Sequence, residues 1–111
     1  MCQLSVDTRN GGGDVVVSVR GEVDISTVAE LERALDDALE GPAERVVLDL
    51  RRLDFMDGSG AAALWRQELH ARAIARPLIV VRGPRAIQRL FEVTQLTDKL
   101  TIVDAVRLTV V

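Results

Sequence analysis

The fold class predicted by the sequence is α/β: a single domain with a mixed, mainly parallel β-sheet flanked by helices. Two observations lead there. After an opening pair of β-type segments, short apolar runs alternate with segments whose apolar residues recur three and four apart, the pattern of strands interleaved with amphipathic helices. The chain also has 111 residues, 48% of them hydrophobic and 28% charged, enough for one core without disulfide or metal staples. With right-handed crossovers, the order β-β-α-β-α-β-α-β places successive strands side by side in parallel.

Each element has its own signal. Leu4 and Val6 alternate with polar residues, Asn10-Gly11-Gly12-Gly13-Asp14 interrupts, and Val15, Val16, Val17 and Val19 resume, which predicts a hairpin. The period then changes: Val28, Leu31, Leu35, Ala38 and Leu39 share one helical face, with Thr27 and Glu30 spaced as a capping box and Gly41-Pro42 as the stop. Arg45 to Leu50 reads as a strand covered on both faces, followed by an acidic, glycine-containing loop. A second helix is predicted from about Ser59 to Ala75, with Ala61, Trp65 and Leu69 inward and Pro77 beyond its end. Leu78 to Val81 reads as a buried strand. Gly83-Pro84 opens a third helix with Ile87, Leu90, Phe91 and Thr94 on its inner face, and Leu100 to Val103 forms the last strand. Asp104 to Val111 reads as a short final helix capped by Asp104, against a β-rich alternative favoured by its valines and Thr109.

Composition narrows the function. A net charge of -3 with dispersed arginines gives no electrostatic footprint for direct nucleic-acid binding. Arg82, Arg85 and Arg89, like Arg51-Arg52, read as solvated surface. The single Cys2 excludes an intrachain disulfide, and with no Cys/His cluster neither a structural metal nor a cofactor is implied. No run approaches the ~18 apolar residues of a membrane span, so the expectation is a cytoplasmic protein, monomeric when free and not membrane-bound.

In a mainly parallel sheet, function gathers in loops at the carboxyl ends of the strands, here Gly21 to Ser26 and Leu53 to Gly60. The second loop places Ser59 between Gly58 and Gly60 at the start of a helix, where free N–H groups and the helix dipole tolerate a phosphate. Capping of the helix by Ser59 or Asp57 is the commoner role of such residues and stands beside that reading. A serine hydrolase is rejected. The elbow pattern needs glycines where Asp57 and Ala61 stand, and the sole histidine, His70, lies roughly 16 Å along the same helix at about 1.5 Å per residue. His70 reads as a solvated helix residue, and Trp65 as a core or half-buried one. Gly58-Ser59-Gly60-Ala61-Ala62-Ala63 formally fits a dinucleotide fingerprint, but it does not follow its strand immediately, and the next strand lacks the expected terminal acid.

Several segments together carry a more specific signal. Gly21-Glu22-Val23-Asp24, then Val46-Val47-Leu48-Asp49-Leu50, then Leu53-Asp54-Phe55-Met56-Asp57-Gly58-Ser59-Gly60, and finally Arg89-Leu90-Phe91 occur in order. In these landmarks the chain resembles the STAS domain family, specifically the bacterial anti-sigma factor antagonists, over about residues 4 to 104. The resemblance implies a non-enzymatic binding module whose Ser59 is phosphorylated by a partner that is both anti-sigma factor and serine kinase. Unphosphorylated, such a protein binds that partner and frees a sigma factor; a serine phosphatase resets the phosphorylated form. It also implies that Asp24, Asp57, Gly58, Ser59 and Gly60 form the partner-binding surface. Gly58 departs from the pattern, standing where many relatives carry a second serine or threonine, and Ala61-Ala62-Ala63 is less bulky than usual. The alternatives are a STAS module that binds a protein or small ligand independently of phosphorylation and, more remotely, a nucleotide-binding protein using the Gly58-Ser59-Gly60 loop.

Overall fold

The computed structural model describes residues 3–104. Strand β1 (Leu4–Gly11) pairs antiparallel with β2 (Asp14–Val23), followed by α1 (Val28–Glu40), β3 (Arg45–Met56), α2 (Gly58–Ala73), β4 (Leu78–Val81), α3 (Arg85–Val93) and β5 (Thr101–Val103). The five strands lie in sequence order, and β2 through β5 are parallel. This is the predicted class and order. Gly12 and Gly13, at φ 60° and 87°, make the two-residue turn of the opening hairpin, a conformation open to glycine at little cost.

The alternation within the strands sorts the sheet into two faces. Val17, Val19, Val23, Leu48, Leu50 and Leu53 project into the main core, where Leu31, Leu35 and Leu39 of α1, Leu64 of α2, and Ile87 and Phe91 of α3 meet them. All six strand residues are essentially inaccessible, so this layer supplies most of the apolar burial that stabilises the fold. The opposite face carries a smaller cluster of Val16, Val47 and Val81. At its rim Arg45 grips Asp14 in a two-pronged ion pair of 2.9 and 2.6 Å.

Several local expectations are corrected. β3 continues to Met56 rather than ending at Leu50, because two register shifts against β2 keep the pairing alive to Val23↔Met56. Such bulges absorb an extra residue without losing the ladder, so Leu53 and Met56 become core where a loop was expected. The Thr27–Glu30 capping box does not form. Thr27 Oγ1 instead donates to Glu22 O at 2.9 Å and accepts from Asp24 N at 3.0 Å, so its hydroxyl organises the preceding loop. Helix α2 starts one residue before Ser59 and ends at Ala73, with Ala75 at φ 54° and Arg76 N bonded back to Ala71 O, a left-handed stop. Its buried face is Gly60, Ala61, Ala63, Leu64, Gln67, Glu68 and Ala71, so Leu69 is exposed and Trp65 half-buried. Arg72 and Lys99 each sit 5.3 Å from the centre of the Trp65 ring. Thr94 is not on the inner face of α3; it is exposed and returns its hydroxyl to Leu90 O as the helix ends. Asp104 accepts from Arg82 at 2.5 Å, and the rest of the proposed final helix lies outside the described residues. Among the described residues no helix is long and apolar enough to cross a membrane.

Candidate functional site

Because β2 and β3 run parallel in register at Val23↔Met56, their carboxyl ends deliver two loops side by side, and Asp57 N donates to Val23 O at 3.1 Å. This is how Asp24 and Asp57, 33 positions apart in the chain, come to the same edge of the sheet.

Asp57 is the N-cap of α2. Its Oδ1 accepts from Ser59 N at 2.9 Å, from Gly60 N at 3.4 Å and from the Ser59 hydroxyl at 2.5 Å. One carboxylate therefore satisfies free helix donors and also holds the serine side chain. Both readings of the loop meet here: Asp57 does the capping, which leaves Ser59 half-buried at the first turn with its oxygen over the positive end of the helix. Asp57→Ala is expected to lower stability by about 1 kcal/mol through the lost cap. Chemical denaturation would measure that loss.

The two glycines differ. A Cβ on Gly60 would stand 2.5 Å from Met56 Cγ and 2.8 Å from Val23 Cγ1, so the absence of a side chain lets α2 sit directly on the ends of β2 and β3. A Cβ on Gly58 would meet nothing within 4 Å. Gly58 is exposed, so the Cβ of a serine or threonine there would meet open space.

Across the edge, Asp24 Oδ1 accepts from Ser26 N at 2.8 Å and from Ser26 Oγ at 2.6 Å, while its carbonyl accepts from Thr27 N and Val28 N at the start of α1. Asp24 thus shapes the loop rather than projecting as a lone charge. Two exposed apolar residues given no role in the sequence reading, Ile25 and the landmark residue Phe55, complete the surface. Ile25, directly after Asp24, is 81% exposed, and Phe55, near the carboxyl end of β3 two residues before Asp57, is 46% exposed. The available signal was an isoleucine set between Asp24 and Ser26 and a phenylalanine directly after Asp54.

His70, rejected as a partner of Ser59, is not simply solvated. It is half-buried between α1 and α2, facing Asp36 and Glu40.

Comparison with known proteins agrees with this geometry. The family described as "Mlab, STAS domain" matches residues 6–104. The anti-sigma-B factor antagonist of Staphylococcus aureus strain NCTC 8325 / PS 47 is 26% identical over 99 residues, covering 89% of this chain and 92% of its own. An anti-sigma factor antagonist from Mycobacterium paratuberculosis superimposes with a TM-score of 0.84 at 23% identity, covering 94% of this chain and 88% of that one. The unphosphorylated anti-sigma factor antagonist SpoIIAA gives 0.77 at 21% identity, covering 93% and 90%. The phosphorylated form of the Bacillus protein gives 0.71 at 21% identity, covering 93% of each chain. With the predicted strand order, the paired acidic loops and a family match over nearly the whole described chain, this protein belongs to the STAS domain family.

Proposed function

We propose that this protein is an anti-sigma factor antagonist: a cytoplasmic, non-enzymatic module that binds an anti-sigma factor with serine kinase activity and is released from it by phosphorylation of Ser59. The observation that carries the reading is the hydrogen bond from the Ser59 hydroxyl to the capping carboxylate of Asp57. An unmodified serine donates that proton. A phosphoserine has none to donate and brings about -1.5 to -2 charge next to Asp57.

The phosphate is then turned away from the cap towards the open side of the loop, where Gly58 leaves space and Ile25 and Phe55 offer apolar contact to a partner. The helix terminus tolerates the charge. The cost falls on the interface, where a desolvated apolar contact would have to accommodate a dianion. A serine phosphatase resets the surface by restoring the hydroxyl.

The test is affinity capture from the native lysate with Ser59→Ala and Ser59→Asp baits, bound proteins being identified by mass spectrometry. The expected result is an ATP-binding anti-sigma factor on the alanine bait, with at least about tenfold less on the aspartate bait. Equal capture would replace the switch by a phosphorylation-independent STAS module. A titratable nucleotide affinity with no protein partner would replace both with a small-ligand role.

A further inference from the structure

We propose that Asp36, Glu40 and His70 bind one divalent transition-metal ion of the zinc class between α1 and α2, a site separate from the Ser59 surface. One donor atom from each of the three lies within 4.8 Å of the others. Asp36 and Glu40 stand four apart on one side of α1, and His70 faces them from α2, with Nδ1 3.5 Å from Asp36 Oδ1 and Nε2 3.7 Å from Glu40 Oε2. Both separations exceed hydrogen-bond range. A neutral imidazole has one N–H and one lone pair, so in this arrangement one ring nitrogen turns a lone pair towards a carboxylate oxygen. A cation relieves that opposition.

A second, independent observation favours a metal over a proton. Gln67, one turn before His70 and 4% exposed, donates Nε2 to Asp36 Oδ1 at 2.9 Å. Its Oε1 is the one buried side-chain polar atom among the described residues that lacks a partner. That oxygen shares its carbon with the nitrogen held on Asp36, so it lies at the margin of the triad. A proton on His70 leaves it unsatisfied. A metal keeping an open fourth position carries a water, and that water would donate to Gln67 Oε1 while Nε2 orients the Asp36 carboxylate, the outer-shell arrangement usual around metal ligands.

The donor set selects the ion. One imidazole with two carboxylates suits zinc and its neighbours, whereas magnesium and calcium take oxygen donors. Donors around tetrahedral zinc are about 3.3 Å apart, so the triad must contract. Asp36 is held by Gln67, so the contraction falls on Glu40, whose side chain is 66% exposed, and on the imidazole. The helices meanwhile are held by the Arg66–Glu32 pair at 3.0 Å and by Arg76, which caps the last carbonyls of α1.

The experiment is calorimetric titration of zinc chloride into the untagged full chain carrying Cys2→Ser, which removes its only thiol, with cobalt absorption as a second readout. One equivalent is expected to bind and to raise the Tm by about 10 °C at a hundredfold excess over Kd. His70→Ala and Glu40→Gln should each weaken binding at least about a hundredfold; the second retains the carboxamide shape at an exposed position and guards against misfolding. Absence of saturable one-to-one binding in the parent, or binding that survives either substitution, overturns the site.

Discussion

Replacing Gly21 by alanine is expected to cost about 3 kcal/mol or more of unfolding free energy, a large share of the total stability of a domain this size. Gly21 has φ +101°, a conformation L-residues rarely adopt, and an added Cβ would stand 2.2 Å from the backbone carbonyl oxygen of Gln3. Neither problem has a side-chain solution. The obstacle is main chain, held in place because Glu22 N donates to that same carbonyl at 2.9 Å. Backbone strain of about 1–3 kcal/mol adds to a displacement term of similar size. The register shift between Gly21 and Glu22 is what carries β2 on to Val23 and the Asp24 loop, so partner binding should weaken along with stability. Urea unfolding of Gly21→Ala beside Gly58→Ala decides it. The Gly58 variant meets open space and should change stability by less than about 1 kcal/mol, the helix-propensity gain of alanine. Equal, small effects from the two would show that β2 is not strained at Gly21 in this way.

Ile25→Asp and Phe55→Ala are each expected to weaken binding of the anti-sigma factor by at least about 30-fold, corresponding to the loss of a 2 kcal/mol hot spot. Both residues are large, apolar and exposed in the free protein, and they flank the Ser59 loop. Ile25 belongs to neither apolar cluster of the described residues, so removing it should leave stability within about 0.5 kcal/mol. Val93→Asp is the matched control. Val93 is also apolar and 69% exposed, but it ends α3 at the amino end of β5, away from the serine loop. Calorimetry against the partner, with the three variants at equal folded fraction, should separate the first two from the third. Indistinguishable affinities for all three would remove the apolar rim from the interface.

The legibility of this chain follows the range of its interactions. The hairpin turn, the stop at Gly41-Pro42 and the buried strands were readable because their causes are local: glycine at positive φ, a missing proline N–H, a run of β-branched residues. The inner face of α2 was not. Ala61, Trp65 and Leu69 and the observed Ala61, Leu64, Gln67 and Glu68 are both helical stripes, and with three alanines at its start the helix has little periodic contrast. Its rotation is set by what it packs on, and Gly60 seated on Met56 and Val23 turns Leu69 outward. The capping box failed for a related reason. Thr27 has a better acceptor in Glu22 O, five residues back, which only the folded loop brings within reach.

By itself the sequence determined the element order, the hairpin and the serine loop at a strand-to-helix junction, since each depends on neighbours a few residues away. The family resemblance already implied one surface for Asp24 and Asp57; tertiary structure alone decided how they reach one edge, that Ile25 and Phe55 flank them, and that His70 faces Asp36 and Glu40. Those relations depend on parallel register between β2 and β3 and on how α1 lies against α2, which arise from burial of a common core and leave no periodic trace along the chain.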